Sequence, residues 1–497
     1  MNEALQVRQG VRSAMRAVLP SQANPEQKAV AHNTRGLELA QREEFEAALI
    51  EFERAIACYP DGFGGSWSNR GNCLRELGRT REALASYDRA IAIEPDHMPA
   101  WGGRGDVLLE MQELPAALES FDRAIALQPT FPLSHIGRGQ ALTQMRRLDA
   151  AVGSFDRALA LDPNNAYASG HKGVALLLNG RFMEGLRSFE SRPLQFHARA
   201  GFDFRQPRWS GDEPLAGKAI ALLAEKDTLA FGLGDLIQFC RYATLVAARG
   251  ARVILDAPAS LVRLLSSLDG VDQLVTPNEP LPEVDFWCPL LSLPFLFRTT
   301  LETIPASTPY LRASPERVRY WGERLGSRSK LRVGLVWAGG SKPKKWTWSA
   351  SRDMSISHLA ALKDIDAEFF SLQVGRPGEP ARMVAQGWSG PRILDFTSEL
   401  HDFAETAALI ENLDLVISVD TSIAHLAGAL GKPVWLLNRH NTCWRWMLDR
   451  DDSPWYPTMK IYRQQTPGDW DGVMTRVRGD LVSQGVTVTR SASSSCN

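Results

Sequence analysis

The sequence predicts an α-helical repeat array joined to a pair of parallel-sheet α/β lobes, and three observations carry that prediction. A four-column pattern recurs with one period through the first part of the chain. From Lys218 onward, short apolar runs alternate with helical patterns, the rhythm of βαβ units. Tryptophan use changes at the same place: of fourteen tryptophans, only Trp67 and Trp101 precede residue 200.

The repeat rests on spacing. Gly71, Gly105, Gly139 and Gly173 stand 34 apart, as do Tyr87, Phe121, Phe155 and Phe189. Ala90, Ala124 and Ala158 keep the same step, and so do Pro95, Pro129 and Pro163. Gly36, Phe52, Ala55 and Pro60 lie 35 residues before their counterparts, which places a one-residue insertion near the Asp61–Gly65 turn. Small residues at the glycine and alanine columns let two helices approach, the aromatic column fills the groove, and proline ends the second helix by removing a donor. The pattern resembles the tetratricopeptide repeat, and about four and a half copies from Ala31 to Ser191 exceed the roughly three a stable stack needs. By that resemblance, the array offers a groove for a protein or an extended peptide. A basic column, Arg35, Arg70, Arg104, Arg138 and Lys172, runs beside an acidic one, Glu53, Asp88, Asp122 and Asp156. Ion pairing inside each repeat is the expected use; a ladder for an acidic ligand is the alternative.

In the second half, Ala219–Leu223, Val253–Leu255, Gln273–Thr276 and Asp285–Trp287 read as strands of a first lobe, with an amphipathic helix running to about Arg249. A connection carrying Pro289, Pro294, Pro305, Pro309 and Pro315 leads to a second lobe. Its strands are expected at Arg332–Trp337, Glu368–Leu372, Ile393–Leu394, Leu415–Val419 and Val434–Leu437. The expected organisation is a capping segment over 1–30, repeats over 31–192, lobes over 210–315 and 330–483, and a disordered Ser-rich tail over 484–497.

Bulk properties bound the function. At 497 residues the chain needs more than one core, and 44% hydrophobic with 23% charged residues is ordinary for a globular protein. A net charge of −1 supplies no field for nucleic acid, and no apolar run has the roughly 20 residues of a membrane span. Arg8, Arg12 and Arg16 lie in a start without an apolar signal core, which reads as a capping helix, with a transit peptide as the alternative. Six cysteines without a CxxC pair fit neither a zinc site nor a disulfide framework, and point to the cytoplasm.

Two stretches can carry chemistry. Gly232-Leu-Gly234-Asp235 sets an acid at a strand-to-helix turn, where Asp235 serves either a ligand or the helix start. Asp420-Thr421-Ser422-Ile-Ala-His425 follows an apolar strand, so Thr421 and Ser422 begin a helix whose free N–H groups suit a phosphate, with His425 one turn on. Together with Leu426-Ala-Gly-Ala-Leu-Gly-Lys-Pro433, these stretches resemble the heptosyltransferases of glycosyltransferase family nine over roughly 215–480.

That resemblance implies a GT-B fold of two Rossmann-like lobes, so the whole reads as an α-solenoid of tetratricopeptide repeats followed by a GT-B module. It implies Asp235 as general base, and Asp420, Thr421, Ser422 and His425 as donor-binding residues. Lys344, in Lys344-Lys-Trp346, matches a cation that neutralises the leaving diphosphate; Lys342 and Arg352 in the same loop are substitutes. Glu379 falls where the family places an acid on the nucleoside, and Gly232 and Gly234 would let a substrate approach. Trp444-Arg-Trp446 through Asp452-Ser-Pro-Trp-Tyr-Pro457 looks like the hallmark of a bacterial group that joins repeats to such modules. The stretch 226–231 departs from the family's usual residues.

The expected function is transfer of a sugar from a nucleotide-diphosphate sugar to a hydroxyl of a glycan or protein, with inversion and without metal or cofactor. Two alternatives stand beside it: a protein glycosyltransferase like the O-linked N-acetylglucosamine transferases, and a non-catalytic repeat scaffold.

Overall fold

The computed structural model describes residues 24–192, 194, 196, 205–225, 232–277, 279–339, 352–376, 378–388, 390–483 and 485. They fall into two compact units: one runs to Met145 and includes Ala160–Pro163, and the other takes Arg146–Leu159 and Asn164 onward.

The first unit holds antiparallel helix pairs: α1 (Pro25–Gln41) with α2 (Phe45–Cys58), α3 (Gly64–Glu76) with α4 (Thr80–Ile93), α5 (Met98–Glu110) with α6 (Leu114–Leu127), then α7 (Pro132–Gln144). The glycine column is explained by contact distances. A Cβ on Gly71 would sit 2.8 Å from Tyr87, and one on Gly105 2.7 Å from Phe121. Each aromatic is also enclosed from the following repeat, since a Cβ on Gly103 would lie 2.5 Å from Tyr87 and one on Gly137 2.3 Å from Phe121. Tyr87 and Phe121 are consequently buried, as is Phe52. The charged columns do pair, but across repeat boundaries: Arg70 meets Glu53 at 3.1 Å, Arg104 meets Asp88 at 2.8 Å and Arg138 meets Asp122 at 2.6 Å. The base on the first helix of each repeat thus faces the acid on the second helix of the repeat before it, which corrects the expected in-repeat pairing. These pairs are half exposed and worth well under about 1 kcal/mol each, so they set register more than stability.

The second unit begins with α8 (Leu148–Leu161), α9 (Ala166–Leu178) and α10 (Phe182–Phe189), with Lys172 on Asp156 at 2.6 Å repeating the charge pattern. Arg192, just after α10, is buried against Glu225 with its Nε 2.9 Å from the carboxylate, which fastens the last helix pair to the first lobe.

That lobe carries a four-stranded parallel sheet in the order β3-β2-β1-β4, from β1 (Ala219–Leu223), β2 (Arg252–Asp256), β3 (Gln273–Val275) and β4 (Phe286–Pro289). Between β1 and β2 lie two short helices, α11 (Leu233–Phe239) and α12 (Tyr242–Ala247), where one was expected. Arg241 takes the Gln238 carbonyl with its own Nε at 2.8 Å, and Ala243 N–H bonds back only three residues, to Cys240 at 2.8 Å. Helices α13 (Ala259–Leu265), α14 (Leu293–Leu296) and α15 (Pro315–Leu325) complete the lobe and its connection.

The second lobe is a six-stranded parallel sheet, β10-β9-β8-β5-β6-β7, the doubly wound order in which strand succession reverses at its centre. Its strands are β5 (Leu331–Val336), β6 (Ala367–Ser371), β7 (Ile393–Asp395), β8 (Leu415–Val419), β9 (Val434–Asn438) and β10 (Met459–Arg463). Helices α16 (Glu379–Ala385), α17 (Phe403–Glu411), α18 (Ser422–Ala429) and α19 (Trp470–Ser483) flank it. Alternate residues enter different cores: Val416 and Leu436 face one layer, while Ile417, Val419 and Leu437 face the layer built by Val473, Met474, Val477 and Leu481 of α19. The architecture is thus a helical repeat solenoid followed by two Rossmann-like lobes in the manner of GT-B. Among the described residues, no helix is long and apolar enough to cross a membrane.

Candidate functional site

In both lobes a fully buried strand precedes the helix that carries the candidate residues. In the first, β1 ends at Leu223 and α11 begins after Gly232, whose backbone is extended (φ −146°, ψ −176°). Asp235 Oδ2 accepts the Gly232 N–H at 2.6 Å, so the carboxylate tightens the helix start, as the plainer reading of the sequence anticipated. Its Oδ1 forms an ion pair with the guanidinium of Arg445, from the second lobe. Burial drives the Asp235 carboxyl up to about 6, and Arg445 and the Gly232 N–H hold it from rising further.

In the second lobe, β8 ends at Val419, Asp420 follows, and α18 starts after Thr421, again extended (φ −138°, ψ 171°). Ser418 Oγ donates to Val419 O at 2.7 Å, so the 3.1 Å contact of the two hydroxyls has Thr421 Oγ1 donating to Ser418 Oγ. Thr421 makes no side-chain cap on α18, while the Ala424 N–H in its first turn bonds back to Thr421 O at 3.1 Å. His425 is buried, bonded through Nδ1 to Tyr456 Oη at 3.0 Å and stacked on Trp446 with ring centroids 5.0 Å apart. Desolvation lowers its pKa to about 3, so the ring is neutral at physiological pH.

The two helix starts touch. A Cβ on Gly234 would lie 2.7 Å from His425 Cδ2 and 3.4 Å from Ser422 Cα. Gly234 is therefore glycine because α11 and α18 meet there. The structure brings together Gly232, Gly234, Asp235, Asp420, Thr421, Ser422 and His425.

Strand order adds more. Asp420 follows β8, Arg439 follows β9, and Trp337–Gly339 follows β5, so three neighbouring strands deliver their loops to one edge. Arg352 lies over Gly339, where a Cβ would be 2.8 Å from its Nε; burial depresses both His425 and Arg439, and the Arg352 charge adds to it. Glu379 accepts from the indole of Trp337 at 2.9 Å, which fixes it at the mouth of the β6–α16 connection. Lys342 and Lys344 lie outside the described residues.

Sequence reasoning missed the arginines, Arg439 and Arg445, and the role of Tyr456. The Trp444-Arg-Trp446 and Trp455-Tyr456 motifs were the available signal, but spacing says nothing of which helix they embrace. A shallow concavity lined by Lys218, Arg252, Asp272, Glu283 and Asp285 lies where the first sheet's strands begin, the wrong end for a ligand in such a fold, and Lys218 there is paired with Asp285 at 3.0 Å.

Comparison with known proteins follows the same division. The tetratricopeptide repeat family matches residues 69–131 and 136–191, and glycosyltransferase family 9 (heptosyltransferase) matches residues 400–463, which hold α17 through β10. The chain carries tetratricopeptide repeats in its N-terminal region and a family 9 match toward its C-terminus. It is 27% identical over 336 residues to Protein FlbA of Caulobacter vibrioides, covering 62% of this chain and 53% of that protein, so it spans about half the length of that relative. Among solved structures it is similar to MamA of Desulfovibrio magneticus (20% identity, 33% of this chain and 92% of that one, TM-score 0.31). It is also similar to pilF of Pseudomonas aeruginosa (18% identity, 34% and 79%, TM-score 0.32).

Proposed function

We propose that this protein is a glycosyltransferase that moves a sugar from a nucleoside-diphosphate sugar to a hydroxyl of a glycan or protein, with its repeats binding a protein or peptide. The observation that carries the reading is the meeting of Gly234, beside Asp235 at one helix start, with Ser422 and His425 at the other, the latter inside the family 9 match.

In this reading the donor lies along the second lobe's strand ends. The Thr421–Ser422 helix start and Arg352 receive the diphosphate, with Lys344 as a further cation by resemblance, and preorganised charge of this kind stabilises a leaving diphosphate. Glu379 takes the nucleoside. The acceptor oxygen attacks the anomeric carbon while its proton passes to Asp235; the bond from that carbon to the phosphate oxygen breaks, and the nucleoside diphosphate leaves. A single displacement of this kind inverts the anomeric centre. A carboxylate has about four lone-pair positions, so contacts to Gly232 and Arg445 leave Asp235 capacity for the acceptor hydroxyl. With its carboxyl at about 6, Asp235 is ionised at neutral pH yet basic enough to matter, in the range favoured for general bases.

Thermal stabilisation by a panel of nucleoside diphosphates and nucleotide sugars, with Asp420→Ala alongside, tests the site. A ligand at 100 times its Kd adds about 2.7 kcal/mol, a readable shift of the midpoint. A base-specific shift lost in the variant supports the reading; no shift with any member would favour a repeat-based scaffold.

A further inference from the structure

We propose that Arg445 is the positioning residue for Asp235, delivered from the second lobe by the aromatic segment 443–456, and that this is the work of the Trp444-Arg-Trp446 motif. The inference rests on Asp235 being the general base of the proposed transfer.

The segment belongs to the second lobe in sequence but is packed around α11 of the first. Trp444 stacks on Phe239 with centroids 6.2 Å apart, and Trp455 meets the same ring edge-on at 5.4 Å. Arg241, at the end of α11, donates to Trp455 O at 2.8 Å and lies 4.7 Å over the Tyr456 ring. Arg445 is fixed between these aromatics, 4.6 Å over Trp444 and 5.5 Å over Phe239, and is only 3% exposed. A guanidinium so enclosed is costly unless it is paired, and the carboxylate that meets it is Asp235. Nη1 of the same guanidinium donates to the soft sulfur of Cys443 at 3.1 Å.

The carboxylate is consequently held from two sides, by a backbone N–H of its own lobe and by a cation of the other. The charged and titratable groups around it are Arg445 from the 443–456 segment, Asp420 just after β8 and Glu225 just after β1; His425 on α18 is neutral. Both neighbouring carboxylates oppose ionisation of Asp235, and so does burial, while Arg445 is the one cation among these that favours it. Without that guanidinium the carboxyl would lose the cation that favours its ionisation, and the Gly232 N–H would hold it from one side alone. The base of one lobe is thereby oriented by a cation supplied from the other.

The test uses the full chain and release of nucleoside diphosphate from whichever of UDP-, GDP- or ADP-sugars the wild type turns over, followed from pH 5 to 9. Arg445→Met is expected to lower kcat at neutral pH and to move the acid limb so that at least a tenfold lower proton concentration is needed for activity, with the donor KM changed less than about twofold. Arg445→Lys, which keeps the charge, should return the limb most of the way. An acid limb unmoved in Arg445→Met overturns the proposal, as does a rise in donor KM with the limb unchanged, which would make Arg445 a donor ligand. If no donor is turned over, urea unfolding of Asp235→Asn, Arg445→Met and the double variant decides the pair alone. Coupling at pH 7.5 that vanishes at pH 5 would keep the positioning contact while refuting the transferase reading; absence of coupling at both would refute the contact.

Discussion

Replacing Gly234 with alanine sets two effects of known sign against each other. The Gly234 backbone is not left-handed, and alanine in a helix is favoured over glycine by up to about 1 kcal/mol. Against this, the new methyl would stand 2.7 Å from His425 Cδ2, when ordinary carbon contacts begin near 3.5 Å. His425 cannot swing away: Nδ1 is bonded to Tyr456, its face is stacked on Trp446, and both of those residues are fully buried. Helices α11 and α18 must then separate by nearly 1 Å, an overpacking worth about 1–3 kcal/mol. Gly234→Ala is expected to lose about 1–2 kcal/mol net in urea unfolding with m unchanged, read by tryptophan fluorescence, since twelve of the fourteen tryptophans follow residue 200. The same separation should draw Asp235 from Arg445 and weaken nucleotide-induced stabilisation. A variant as stable as wild type, or more stable, would refute the claim that the lobes meet at this glycine.

In the repeats, Gly103→Ala should destabilise by about 1–3 kcal/mol, because its Cβ would lie 2.5 Å from Tyr87, whereas Gly102→Ala next to it, with nothing within 4 Å, should stabilise by up to about 1 kcal/mol; thermal melts of both separate packing from propensity. Phe182→Ala removes the ring lying 6.1 Å from Trp444 and 6.4 Å from Trp455, and should cost about 3–5 kcal/mol by urea unfolding while loosening the segment that carries Arg445. His171 and His425 are pushed down by burial from 6.5 to about 4 and about 3, so the unfolded chain takes up protons before the folded one does, and the stability they contribute above about pH 6.5 is lost as pH falls. Asp235, raised to about 6 from 3.8, acts oppositely and lowers stability as pH rises from about 4 to 6. His425→Gln should therefore flatten the decline below pH 6.5 by up to about 1.4 kcal/mol per pH unit, and an unchanged slope in denaturant titrations would show the ring to be protonated in the folded state.

Much of the architecture was legible because it is periodic or continuous. The glycine and aromatic columns repeat at a fixed step, and buried parallel strands such as Leu415–Val419 read as unbroken apolar runs. Strand β10, Met459–Arg463, was missed because it pairs only with β9 at the sheet edge and interleaves Lys460 and Arg463 with apolar residues. The charge columns showed which residues are level but not which helix lies alongside, so Arg70 was matched to the wrong repeat. In the site, Asp235 and the 420–425 run announced themselves by sitting at strand ends. Arg445 did not: its partner lies 210 residues earlier and reaches it only through the packing of Trp444 and Trp455 on Phe239.

The central claim is that Asp235 is the base of a sugar transfer, and comparing the wild type with Asp235→Asn tests it most directly. Donor binding is followed by thermal shift, and turnover by release of the nucleoside diphosphate from the donor that stabilises the protein. Asp235→Asn is expected to keep the donor-induced shift and to lose about 10²–10⁴-fold in kcat. Turnover by Asp235→Asn at the wild-type rate, with the donor bound as before, would contradict it.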